Sequence, residues 1–158
     1  MMKALRILSL LFVAAILLTY TGCKDKKTDP PPITDVQFDK LNKTWKINTT
    51  NGVSLDGVDK TADYTGFQLT LSGTKGTPPF NYATSGRPSL SPWPASGKWD
   101  FGAAPETQMI RDKGTADELA ITYAVTESTL TISFTFNGTG YAARTGVVKG
   151  AWIYTFGL

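Results

Sequence analysis

Apolar residues along most of this chain recur at every second position, the signature of a strand with one face buried. Trp45 and Ile47 open the pattern, and Phe67, Leu69 and Leu71 repeat it. Phe80 and Tyr82 follow, then Trp99 and Phe101, with a short strand expected over Gln108–Arg111. Leu119, Ile121, Tyr123 and Val125 form one long apolar face; Leu130, Ile132, Phe134 and Phe136 form the next. Val148, Trp152, Tyr154 and Phe156 mark a last strand, with Gly150 in phase between them. Turn chemistry separates these segments: Arg111–Gly114, the short Thr126–Thr129 connection between two strong strands, and Asn137-Gly138. Only Asp35–Asn42, with Val36, Phe38 and Leu41 able to pack, suggests a short helix.

The expected fold is therefore all-β: an antiparallel barrel of about eight strands, or alternatively a β-sandwich. Closure into a barrel removes the edges that invite aggregation. Gly146 and Gly150 share the inward parity of the last strand, where glycine permits a bend or close backbone approach.

The N-terminus breaks the pattern. Lys3 and Arg6 precede an apolar run from Ile7 to Leu18, interrupted only by Ser9. A run of about a dozen residues is too short for a hydrocarbon core, which needs roughly 20. It reads as a signal peptide. Thr21 and Gly22, small residues, stand before Cys23, the sole cysteine. The segment resembles a lipobox, which makes Cys23 the expected site of lipid attachment. Residues 1–22 are then the signal peptide, 23–32 the lipidated cysteine and a tether ending in Pro30-Pro31-Pro32, and 33–158 one domain. The prolines favour an extended, stiff spacer. The implied partner is a membrane, reached through the N-terminal lipid, and the implied location is the cell envelope at the outer membrane, on its periplasmic or its surface face.

Charge follows the same division. The full chain carries a net +3. Loss of Lys3 and Arg6 with the signal leaves +1, and the lysine-rich tether accounts for that remaining charge. A domain about neutral gives no argument for nucleic-acid binding, which needs a basic face on the domain itself, and no nucleic-acid partner is expected.

Histidine is absent. That removes the commonest general base, the Ser-His-Asp arrangement and histidine-based zinc sites. Glu106, Glu118, Glu127 and Asp100 are scattered among turns and strand ends, so the facing carboxyl pair of a hydrolase is not expected. Asp56, Asp59 and Asp63 lie in one polar stretch but lack the alternate-residue rhythm and terminal Glu of an EF-hand loop; a solvated loop is expected there. No metal, cofactor or catalytic residue is assigned.

The most unusual connection is Gly86–Pro94, which holds Trp93 between two prolines with Arg87 nearby. An exposed Trp93 would be a stiff platform for stacking a ring, with Arg87 as donor, so both are candidate ligand-binding residues. A buried Trp93 would plug one barrel end.

With Leu41-x-x-x-Trp45 near its start, Gly97-Lys98-Trp99-Asp100-Phe101 and Leu130-Thr131-Ile132-Ser133-Phe134 within it, and Gly150-Ala151-Trp152-Ile153-Tyr154 at its close, the mature chain resembles the lipocalin-like lipoproteins of unknown function in Gram-negative bacteria. The resemblance implies a ligand-holding or scaffold barrel. It also implies that an early Trp packs under an Arg near the last strand, parts that fall to Trp45 and Arg144. Two functions follow: a non-enzymatic binding module for a small apolar or sugar ligand, and a structural or protein-interaction envelope lipoprotein with a filled core. A carboxylate-based hydrolase is the third and weakest.

Overall fold

The computed structural model describes residues 29–138 and 148–158. The segment read as a signal peptide lies outside the described residues, as do Cys23, Arg144 and Gly146.

Among the described residues the first element is a helix, α1 (Ile33–Leu41), with Pro32 as its N-cap. Asp35 in the first turn and Lys40 in the last complement the helix dipole. Phe38 and Leu41 are buried. Phe38 lies 4.7 Å from Phe80, ring centre to ring centre, and stacks at 6.5 Å on Trp99. The helix therefore stoppers one end of the barrel.

Ten strands follow: β1 (Thr44–Ile47), β2 (Val53–Leu55), β3 (Val58–Asp59), β4 (Gln68–Ser72), β5 (Phe80–Ser85), β6 (Ser96–Phe101), β7 (Gln108–Arg111), β8 (Leu119–Val125), β9 (Thr129–Phe136) and β10 (Gly150–Gly157). β4 to β10 form a meander in which each strand pairs antiparallel with the next. β1 pairs with β4 on one side and β10 on the other, closing an eight-stranded antiparallel barrel. The longest ladder joins β9 and β10 over eight residue pairs, from Gly150↔Phe136 to Gly157↔Thr129.

The polar stretch after β1 is more ordered than a solvated loop. β1 covers only the C-terminal end of β10. The chain kinks at Gly52 and then continues along the same strand as β2, pairing Val53 with Tyr154 and Leu55 with Trp152. β3 returns beside β2, and a 3-10 turn at Thr61–Tyr64 leads into β4. An uncovered half of β10 would be an open sheet edge; β2 covers it.

Strand direction sorts the connections into two ends. The helix end carries α1 and the β4–β5, β6–β7 and β8–β9 turns. The loop end carries the β2–β3 hairpin, the 3-10 turn and the β5–β6, β7–β8 and β9–β10 connections. Period-two alternation holds on nearly every strand, with Trp45, Leu69, Leu71, Tyr82, Trp99, Ile121, Tyr123, Ile132, Trp152, Tyr154 and Phe156 inside. All four tryptophans are at most 3% exposed.

Gly150 shows why a side chain is not tolerated at the start of β10. Its φ is +138°, and an added Cβ would meet the Asp56 carboxylate and the Leu55 side chain. That approach is what lets Asp56 Oδ1 accept the Ala151 N–H at 2.8 Å while its own N–H donates to the Ala151 carbonyl.

Candidate functional site

The connection between β5 and β6 turns inward at the loop end. Pro88, Pro92 and Pro94 keep it out of any ladder, and hydrogen bonds fix its shape. The Thr84 hydroxyl donates to the Pro94 carbonyl at 2.8 Å, and the Trp93 N–H donates to Ser91 Oγ at 3.1 Å. Two arginines grip successive carbonyls. Arg87 donates to Trp93 O at 2.9 Å from the loop itself, and Arg111 donates to Pro92 O at 2.7 Å from inside the barrel.

Trp93 thereby sits in the core at 1% exposure. Its ring meets Tyr82, Phe134 and Tyr154 edge-to-face at 5.6, 5.9 and 6.5 Å. The pair expected to offer a ligand platform is thus brought together, but with the indole as a plug: no face of Trp93 is open to stack on a ring in solution. The indole N–H finds no acceptor among the described residues.

Beneath the plug lies a polar cluster. Arg111 is 1% exposed, its Cζ 5.1 Å from the centre of the Trp93 ring. Its Nε is 3.4 Å from Asp112 Oδ2. Tyr82 Oη donates to the same carboxylate at 2.7 Å, and the Lys98 N–H donates to Asp112 Oδ1 at 2.9 Å. Gly97 makes room, since a Cβ there would collide with Asp112 Oδ1 and Tyr82. Desolvating a guanidinium costs several kcal/mol. The carboxylate, the loop carbonyl and the indole face offset that cost. Across the barrel, the Tyr154 hydroxyl donates to Tyr64 at 2.9 Å. Burial, the leading cause for each, pushes both phenols above their ordinary range.

The charged cluster was not expected. Arg111 ends the expected Gln108–Arg111 strand and starts a turn, and on that strand it shares the parity of Met109 and points inward with it. That parity was the available signal. Trp45 is buried, and its indole N–H donates to Leu41 O at 3.0 Å. Lys43 Nζ stands 5.6 Å from its ring centre and donates to the Glu127 carbonyl at 2.7 Å, tying β1 to the β8–β9 turn. The partner expected for Trp45, Arg144, lies outside the described residues.

Four carboxylates serve local structure. Asp56 holds β10, Asp59 holds Thr61, Asp100 Oδ1 accepts the Phe101 N–H, and Glu118 accepts the Gly114 N–H. Asp56, Asp59 and Asp63 do not converge, and among the described residues no three acidic or sulfur-bearing side chains gather to hold a metal.

On the outside of the wall, β7 to β10 form a concave groove of about 830 Å³. Its exposed surface comes from Ile110, Ala120, Thr122, Thr135, Ala151 and Ile153, and no charged side chain lines it. No protein-family model matches the chain, nor does any curated protein or solved structure.

Proposed function

We propose that this chain is a lipid-anchored, non-enzymatic lipoprotein of the cell envelope that works from the outer surface of a filled barrel and encloses no ligand. The observation that carries this reading is the position of Trp93. A binding barrel needs its mouth free; here the β5–β6 connection fills the mouth with an indole, and Arg87 and Arg111 clamp the backbone on either side of it. The signal and Cys23 supply the anchor. The absence of histidine and the local employment of the carboxylates support a role in binding, with no chemistry.

Native mass spectrometry of the full chain, extracted from membranes in detergent, tests the reading. The expected mass is that of the processed chain plus its lipid. A small molecule retained in stoichiometric amount, and lost when Trp93 is replaced, would place the working site inside the barrel and overturn the proposal.

A further inference from the structure

β1 and β2 are one strand interrupted. Thr155 of β10 is shared between them: its carbonyl accepts the Asn48 N–H at 3.0 Å, and its N–H donates to the Gly52 carbonyl at 2.7 Å. Thr49, Thr50 and Asn51 loop out between those two bonds, and all three are exposed. The loop returns to the sheet through a sharp kink. Asn51 has a φ of +49°, and a Cβ on buried Gly52 would stand 2.1 Å from the Asn48 carbonyl oxygen. The kink therefore demands glycine at 52 and a left-handed residue before it, where asparagine is among the few side chains tolerated. The architecture that carries β2 along β10 thus fixes an Asn-Gly pair at its junction.

An Asn-Gly pair is chemically labile, because a glycine without Cβ leaves its N–H open to attack the side-chain amide before it. Nothing at this junction restrains the two reacting groups. The Asn51 carboxamide and the Gly52 N–H have no hydrogen-bond partner among the described residues. The nearby Asp56-Gly57 pair differs: its carboxylate accepts the Ala151 N–H at 2.8 Å, and a carboxylate is a poor electrophile. Asn42, Asn48 and Asn81 are each followed by a residue with a side chain.

We infer that Asn51 is a site of spontaneous deamidation, and that its isoaspartyl product frees the first residues of β2 from β10. The Gly52 nitrogen gives up its proton to water and forms a bond to Asn51 Cγ. The bond from Cγ to the side-chain nitrogen breaks, and that nitrogen takes up a proton and leaves as ammonia. One water molecule then opens the succinimide. Cleavage at the Asn51 backbone carbonyl leaves isoaspartate, with the chain running through Cβ and Cγ; cleavage at Cγ leaves aspartate. The net reaction consumes one water and releases one ammonia. Isoaspartate adds a methylene to the backbone directly before Gly52, where the chain is already packed against the Asn48 carbonyl. Gly52 cannot keep both that contact and its bond to Thr155. The far end of β2 is held separately, by the Asp56 N–H on the Ala151 carbonyl at 2.8 Å and by the Asp56 carboxylate. The change therefore opens one end of the β10 edge that β2 covers.

The test is ageing of the full chain, held in detergent, by warm incubation in mildly alkaline buffer. Peptide mapping with an isoaspartate-specific methyltransferase locates the product. Isoaspartate should accumulate at residue 51 well before any appears at residues 42, 48 or 81. In the modified chain, separated by ion exchange, the Thr155 amide should exchange its hydrogen about tenfold faster, the scale of one or two lost backbone hydrogen bonds. Exchange at Ala151 should rise less. Asn51→Asp carries the new charge without the methylene and should keep native exchange at Thr155. Asn51→Gly accepts the positive φ, has no side chain to cyclise, and should not change on ageing. If the incubation produces isoaspartate at residue 51 in the urea-unfolded chain and none in the folded one, the fold protects the pair and the inference is overturned. A chain modified at residue 51 that keeps native exchange at Thr155, or an Asn51→Asp chain that loses it, would overturn it equally.

Discussion

The Arg111 guanidinium lies over the Trp93 ring inside the barrel, its carbon 5.1 Å from the indole centre, and the Pro92 carbonyl is hydrogen-bonded to the same arginine. The contact joins the wall to the loop that closes it. It also places a full positive charge in a core of aromatic rings, with Asp112 as the nearest counter-charge.

Asp112 is therefore expected to matter more than its partly exposed position suggests. Asp112→Asn keeps the shape and tolerates the backbone φ of +51°, but removes the negative charge beside the Arg111 guanidinium. A loss of about 2–3 kcal/mol is expected in urea unfolding, somewhat below the usual cost of breaking a fully buried pair. Arg111→Met removes the charge together with its desolvation cost and should be tolerated better. An Asp112→Asn chain as stable as the native one would mean that the pair contributes nothing to the closure.

Tyr64 and Tyr154 predict a pH response. Burial raises both phenols, so the core accepts their neutral forms and resists ionising them. Their contribution is complete below the unfolded value of about 10 and is lost as pH climbs toward the raised folded values. Stability measured by urea unfolding should be level from about pH 7 to pH 9 and then fall on the alkaline side. In Tyr154→Phe the baseline should drop, since Tyr64 loses its partner, while the alkaline fall becomes shallower. An equally steep fall in that variant would assign the titration to other tyrosines.

The anchor is checked by fractionation. Cys23→Ser should release the protein from membranes or stall it as an unprocessed precursor, because lipid chains contribute about 0.8 kcal/mol per buried CH₂ and the serine carries none. Unchanged membrane retention, with no lipid mass on the native N-terminus, would remove the lipoprotein reading.

The barrel was legible in the sequence because its strands are half-buried and alternate. Trp45, Ile47, Leu69, Leu71, Trp152 and Phe156 lie inside, where their parity puts them. The β2–β3 hairpin was not legible. Its strands are three and two residues long, and β2 exists because β10 outruns β1, a fact of pairing that no local pattern carries. Trp93 left two readings open for a related reason: a proline-rich connection has no period, so nothing local says which way an indole turns.

The filled barrel itself is tested most directly at Trp93. Equilibrium urea unfolding of Trp93→Ala, compared with the native chain, reads the cost of removing the plug. Loss of a buried tryptophan should cost about 3–5 kcal/mol, a large share of the roughly 5–15 kcal/mol that holds a domain together. That result is expected here, since the ring is packed against Tyr82, Phe134, Tyr154 and Arg111. A Trp93→Ala chain with native stability would contradict the account: the indole would then not be part of the core, and the mouth of the barrel would be free to take a ligand.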